Sequence, residues 1–293
     1  MIFEEVKPFI NSRLSQVIDQ PGVYLLGHPF DGTTSFRPGA RFGPDAIRQA
    51  SWGLETYSPY LRKDLTDYPV FDLGNLELLP SRCDLMNKEL TSFLIEQEQF
   101  SKKAKLLTLG GEHSISYTPI KHYLDHYEDL VILHLDAHAD FRDGYLEDNY
   151  SHASIMKRVY DHFSSKNRLL QYGIRSGTKE EFNIMEKEKT LFTSLETLLE
   201  NLKNIDNQRP IYLTLDLDFF DPAYLPGTGT PEAGGESFHS FVKIMKVLNQ
   251  KNLVGADVVE LAPMLDSSQI SSCMASKVVR EVILSMMPIT SGM

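Results

Sequence analysis

The stretch that decides the fold is "LVILHLDAHAD" (130–140). An apolar run of strand length, made of Leu, Val and Ile, drives straight into His134, Asp136, His138 and Asp140. A strand with no polar alternation has no solvent-facing side, which suits a parallel sheet covered on both faces. Its tip raises a physical problem. A buried carboxylate without a partner is costly, so something must compensate that charge.

The same grammar recurs along the chain. Strands are expected at 22–27, 105–110, 130–136, 169–174, 190–194, 210–218 and 253–261, several of them nearly continuous in apolar residues. Between them, helical patterns cover 83–99, 117–127, 152–163, 178–188, 195–204, 237–250 and 271–287. Thr178 followed by Glu181 fits a capping box at one helix start. Strand–helix alternation of this kind predicts an α/β three-layer architecture. No repeat, low-complexity tract or linker interrupts it, and the charge-rich patch 96–105 reads as a solvated helix end. One domain over residues 1–293 is the expectation.

Size and composition agree. The chain has 293 residues, 42% of them hydrophobic and 24% charged, enough to bury a full core. The formal net charge of −11 argues against a nucleic-acid partner, which wants a basic stripe, and suits a small cationic ligand better. Cys83 and Cys273 are far apart and form no CxxC pattern, so neither a disulfide framework nor a thiolate zinc site is suggested. No apolar run is long enough to span a membrane, and "MIFEEVKPFI" lacks a signal pattern. A cytoplasmic setting is the default expectation.

In open parallel sheets, ligands gather beyond the carboxyl ends of the strands. Three predicted strand ends carry polar motifs there: "GGEHS" with His113, "DAHAD" with Asp136, His138 and Asp140, and "DLDFFD" with Asp216 and Asp218. Residues two apart on an extended chain share a face, so each motif can aim its members at one point. Four aspartates and two neutral imidazoles supply four negative charges, which two divalent cations balance. Such a donor set favours harder ions such as Mn²⁺ over thiolate-seeking Zn²⁺. Two ions about 3.5–4 Å apart can share a water and lower its pKa toward neutrality.

Plainer explanations exist for each motif alone. An isolated Asp-x-His is usually a loop or capping feature. His134 lies inside the strand and reads as a satisfied core histidine. The DxD repeat lacks EF-hand spacing. "PGTGTPEAGG" (226–235) lacks the P-loop pattern, and its prolines remove donors, so it reads as a rigid loop over the site. The three motifs occurring together, each after an apolar strand, carry the case for a metal centre.

Taken in order, "GHPFDGTTSFRPGARFGPDAIRQAS", "GGEHS", "DAHAD", "SHAS", "GIRS", "LTLDLDFFDPAYLPGTGTPEAGG" and "DVVELAP" resemble the ureohydrolase family of arginases and agmatinases, over most of the chain. "GGEHS" departs from the more usual "GGDHS", with little loss expected because the histidine is the ligand. The resemblance implies an arginase-like sheet of about eight mostly parallel strands between helices, and a trimer or hexamer. It also implies two manganese ions per subunit, one held by His113, Asp136, Asp140 and Asp216, the other by Asp136, His138, Asp216 and Asp218. Asp140 would carry a proton to the leaving amine, Glu260 in "DVVELAP" would hold a guanidinium, and His152 in "YSHAS" would relay protons.

Arginases typically carry an asparagine two residues after the last ligand of the DAHxD motif, where this chain has Arg142. The form is closer to agmatinases, so cleavage of agmatine to putrescine and urea is the expected reaction. A guanidinobutyrase or another ω-guanidino amidinohydrolase is the near alternative, since Arg142 could pair with a substrate carboxylate. Arginase is further off. From a different class, a non-catalytic metal-binding scaffold would be expected to lose ligands, and all six are present. Zinc deacetylases share the broad architecture but lack the paired DxD with a guanidinium-binding glutamate.

Overall fold

A computed structural model describes residues 3–4, 6–77, 83–96 and 104–287. Eight parallel strands form the body of the sheet: β1 (Gly22–His28), β2 (Val70–Leu76), β3 (Ala104–Gly110), β4 (Val131–Leu135), β5 (Arg168–Tyr172), β6 (Leu191–Phe192), β7 (Pro210–Asp216) and β8 (Asn252–Val259). Their spatial order is β2-β1-β3-β8-β7-β4-β5-β6, and the two-residue strands Phe3–Glu4 and Arg13–Leu14 both pair with β2 to make ten strands among the described residues. The three-layer, mostly parallel architecture expected from the sequence is the observed one.

Every residue of β4 and β7 is buried, as their unbroken apolar sequence requires. Alternate side chains feed two cores: Val131, Leu133 and Leu135 pack on one face with Leu213, Val279 and Ile283, while Ile132 packs on the other with Tyr123 and Met156. Helices therefore cover both faces. Their starts follow local chemistry. Thr178 closes the predicted capping box with Glu181 ahead of Lys179–Glu188, and Ser194 and Ser237 cap Leu195–Asn204 and Phe238–Leu248.

Most element ends moved by one to three residues. The strand expected at 210–218 stops at Asp216 and continues as a tight turn over Leu217–Phe219. The helix expected at 152–163 is a short turn, His152–Ser154, followed by Ile155–Tyr160. The last part of the expected helix 83–99 lies outside the described residues, as does most of the patch 96–105. Of the eight strands in the body of the sheet, one was not expected: β2 reads "VFDLGNL", interrupted by Asp72 and Asn75. It is fully buried because Arg48, on the helix Gly43–Ser51, satisfies it. Its Nε and Nη2 donate to Asp72 at 2.9 Å each, and its Nη1 donates to Asn75 Oδ1 at 2.6 Å. A long-range ion pair holds in the core a strand that carries two polar side chains.

The register sets up the site. β7 pairs Leu215 with Leu135 of β4 and Asp216 with Val259 of β8, and β8 pairs Val258 with Leu109 of β3. Asp136, Asp216 and Glu260 therefore leave neighbouring strand tips at nearly one level. The chain runs outward from β1 to β2 on one side and from β4 through β5 to β6 on the other, so these tips lie where the winding changes direction.

Candidate active site

Each functional side chain is aimed by a local device. Asp216 caps the turn after β7, with Oδ1 accepting from the Asp218 amide at 2.8 Å. The loop after β4 is held against the one after β5 by Ala139 N–H donating to Ser176 O at 3.1 Å. Asp140 and Glu260 both adopt left-handed backbone, with φ of 51° and 68°. Non-glycine residues accept that conformation only when their surroundings over-determine it, which happens most often at functional sites. At Gly111 the loop after β3 passes so close to the 28–30 segment that a Cβ would lie 1.8 Å from Phe30 O. Only glycine fits there, and it lets His113 turn inward.

The six predicted ligands come together. Two sets of donor atoms converge, one containing His113, Asp136 and Asp140 together with His134, the other Asp136, His138 and Asp218, with Asp136 common to both. Asp216 stands outside both tight sets but close by, its Oδ2 3.5 Å from His113 Nδ1. His138 Nδ1 lies 2.9 Å from Asp218 Oδ2. His134 is spent inside the protein: Gln171 Nε2 donates to its Nδ1 at 3.2 Å, so its Nε2–H donates to Asp136 Oδ2 at 2.7 Å. This is the satisfied core histidine expected from its place in the strand.

The donor set fits metal ions. His113 Nδ1 lies 3.0 Å from carboxylate oxygens of both Asp136 and Asp140, yet it is a buried nitrogen with no hydrogen bond of acceptable geometry. Burial alone would lower the pKa of His113, but the surrounding Asp136, Asp140 and Asp216 raise it well above normal. A nitrogen set among carboxylates that favour its protonated form is one where a divalent cation competes with the proton. The carboxylates tell the same story. Burial, then the charges of Asp218 and Asp136, push Asp216 well above the usual range, and burial, then Glu112, does the same to Glu260. Asp140 is raised by burial and by Asp136. Anions packed this closely call for positive charge between them.

The tautomer of His113 is set from behind. Thr214 Oγ1 donates its single proton to Asp257 Oδ1 at 2.7 Å, so at 2.8 Å it accepts from His113 Nε2–H. That leaves Nδ1 free to bind toward the carboxylates. Tyr212 donates to the other oxygen of Asp257 at 2.8 Å. The sequence reading missed Thr214 and Asp257, although both alternate with apolar neighbours inside strands.

A cavity of about 210 Å³ opens at this cluster, lined by His113, His138, Asp140, Asp216 and Glu260. His152, Arg142, Tyr145 and Glu181 line it as well. Its size suits a small linear molecule rather than a drug-sized one. Glu260 Oε1 accepts the His113 amide at 2.8 Å. The Gly/Pro loop is held over one side as expected: Arg37 donates to Thr228 O and Gly229 O, Arg175 donates to Glu232 O, and Thr230 reaches the cavity. Burial, then the charges of His138 and His113, lower His152 to about 4, so it is neutral near pH 7.

Comparison with known proteins agrees with this geometry. An agmatinase from Bacillus cereus is 41% identical over 97% of this chain and 99% of its own length, and one from Bacillus subtilis is 39% identical over the same shares. The solved proclavaminate amidino hydrolase from Streptomyces clavuligerus is 25% identical and superposes with a TM-score of 0.87, over 97% of this chain and 98% of its own. The Arginase family model matches residues 21–285. The strand tips, the shared aspartate and the matches across nearly the whole sequence lead to one statement: the chain belongs to the arginase family, and is a metal-dependent ureohydrolase.

Proposed function

We propose that this enzyme hydrolyses agmatine to putrescine and urea with two manganese ions per subunit. The observation that carries the reading is the arrangement of two donor sets sharing Asp136 beneath a small cavity whose wall includes the Glu260 carboxylate. The Bacillus relatives named as agmatinases support the choice of substrate.

His113, Asp136, Asp140 and Asp216 would hold one ion, and Asp136, His138, Asp216 and Asp218 the other. Bound there, the ions would supply Lewis acidity that lowers the pKa of a water toward neutrality. Everything else falls to the chain. Glu260 grips the planar guanidinium by charge-assisted hydrogen bonds and orients its central carbon. Asp140, its proton affinity raised by burial, takes the proton of the attacking water and hands it to the departing amine nitrogen. His152, neutral at working pH, exchanges protons between the cavity and solvent.

The far end of the cavity would sort substrate tails. Glu181 there is a buried carboxylate that could face the ammonium of agmatine, although Phe141 N and Thr178 N already donate to it. Arg142, 3.9 Å from Glu181 and over the Tyr145 ring, favours a carboxylate tail instead. That observation keeps 4-guanidinobutyrate as the second reading. Purified protein loaded with Mn²⁺ is expected to release urea from agmatine in preference to 4-guanidinobutyrate and arginine. A preference for 4-guanidinobutyrate transfers the reading to the second substrate, and no urea from any of the three ends it. The same reading carries a cytoplasmic trimer or hexamer, which light scattering on the eluting protein checks.

A further inference from the structure

Glu112, the residue that departs from the usual motif beside His113, is fully buried and collects four donors. Thr33 gives its amide to Oε2 at 2.9 Å and its hydroxyl to Oε1 at 2.5 Å. Ser114 Oγ donates to Oε1 at 2.5 Å, and Thr34 Oγ1 donates to Oε2 at 3.1 Å. Hydroxyl contacts this short are those of an O–H donating to a carboxylate. The network ties the loop after β1 to the loop after β3.

Thr33 Oγ1 also touches His152 twice. The His152 backbone N–H donates to it at 3.1 Å, and the ring Nδ1 lies 3.1 Å away. A hydroxyl has one proton and two lone pairs. Burial raises the pKa of Glu112 and the hydrogen bonds from Ser114, Thr33 and Thr34 oppose it; with Glu112 ionised, the Thr33 proton goes to it and one lone pair takes the His152 amide. The remaining lone pair can only accept, so the ring must present Nδ1–H. Nε2 then keeps its lone pair and faces Ser35 Oγ, 3.4 Å away at the cavity wall.

We propose that Glu112 and Thr33 form a latch that fixes His152 in its Nδ1–H tautomer, making Thr33 a positioning residue for proton transfer at Nε2. The device copies the one behind His113, where Thr214 commits its proton to Asp257 and leaves the imidazole to donate. The glutamate fits the task because its oxygens span from Ser114 on its own loop to Thr33 and Thr34 across the gap. The role of His152 in turnover rests on the proposed function; the tautomer does not.

Two measurements separate these claims. In ¹⁵N NMR of the metal-free full chain, with the His152 ring assigned by its loss in His152→Asn, wild type and Thr33→Ser are expected to show a protonated Nδ1 and an unprotonated Nε2. Thr33→Val is expected to show a mixture. A wild-type ring with Nε2 protonated overturns the latch outright, whatever Thr33→Val shows. In urea release by the Mn²⁺-loaded enzyme, Thr33→Val is expected to lower kcat by at least ~10-fold, a part of the roughly 10²–10⁴-fold that a positioned general acid–base group contributes, with KM little changed. Thr33→Ser is expected to restore it. An unaltered kcat in Thr33→Val, or a loss in Thr33→Ser as large as in Thr33→Val, removes the positioning role. Wild type that releases no urea while keeping the tautomer defeats the proposed function and leaves the latch standing.

Discussion

The Nε2 of His113 and the Oγ1 of Thr214 lie 2.8 Å apart, and the direction of that bond is forced by Asp257 on the next strand. A hydroxyl on β7 thereby decides which nitrogen of a histidine beyond β3 faces the carboxylates. Outer partners of this kind commonly change metal affinity by roughly 10- to 100-fold when lost. Thr214→Val is expected to weaken Mn²⁺ binding by that order, and Thr214→Ser to keep it. Equilibrium dialysis checks this, and equal affinity in Thr214→Val would show that the hydroxyl does not orient His113.

Asp218 belongs to the donor set with Asp136 and His138. Asp218→Ala is expected to lose one ion per subunit by elemental analysis and nearly all urea release, a larger drop than the roughly 10- to 100-fold of an outer-shell change. Two ions retained with full activity would remove Asp218 from the centre.

Glu260→Gln keeps an oxygen for the His113 amide but loses the negative charge. Hydrogen bonds to charged groups contribute about 1.5–3 kcal/mol, so kcat/KM for the guanidino substrate should fall by that amount with the metal content unchanged. Unaltered kcat/KM would mean that the guanidinium is held elsewhere.

Arg48 is 1% exposed and neutralises the equally buried Asp72. Arg48→Met leaves that carboxylate uncompensated, and breaking such a pair costs about 3–5 kcal/mol. Urea denaturation should show it as a lower midpoint, and Arg48→Met with Asp72→Leu together should recover part of the loss. A single variant as stable as wild type would show that the pair does not hold β2 in the core.

Lys63 and Lys105 bring their ammonium groups to carbonyls at the end of the helix Ile270–Met286, Lys63 to Leu284 O and Met287 O and Lys105 to Met286 O, and Lys105 also reaches Leu253 O at the start of β8. Burial lowers both to about 8, with the charge of Lys63 adding to the effect on Lys105. An unfolded lysine titrates near 10.4, so between pH 8 and that value the unfolded chain binds more protons and stability from these groups rises with pH. Below pH 8 both states are protonated and the contribution is flat at its lowest. The Tm of wild type relative to Lys105→Met should therefore climb from pH 8 to 10. A constant difference across that range would show that Lys105 keeps its ordinary pKa in the fold.

Much of this protein is legible in one dimension. Runs such as "LVIL" and "PIYLT" state both their strand character and their burial on two faces, because a strand without polar alternation has nowhere to meet water. The ligand motifs sit at the strand ends, where the chain leaves the sheet and side chains two apart can converge. The capping box at Thr178 was equally plain, being a contact between residues three apart.

What the sequence could not show are bonds between residues far apart in it. Strand β2 went unexpected because the partner of its Asp72, Arg48, lies 24 positions away. Thr33 and Thr214 are ordinary threonines until the fold sets Glu112 and Asp257 against their hydroxyls, 79 and 43 positions along the chain. Local pattern determined where the polar groups leave the sheet, since burial and periodicity act on neighbours. The tertiary structure alone decided which nitrogen carries each proton, because a hydroxyl's single hydrogen goes to whichever acceptor the packing brings within reach.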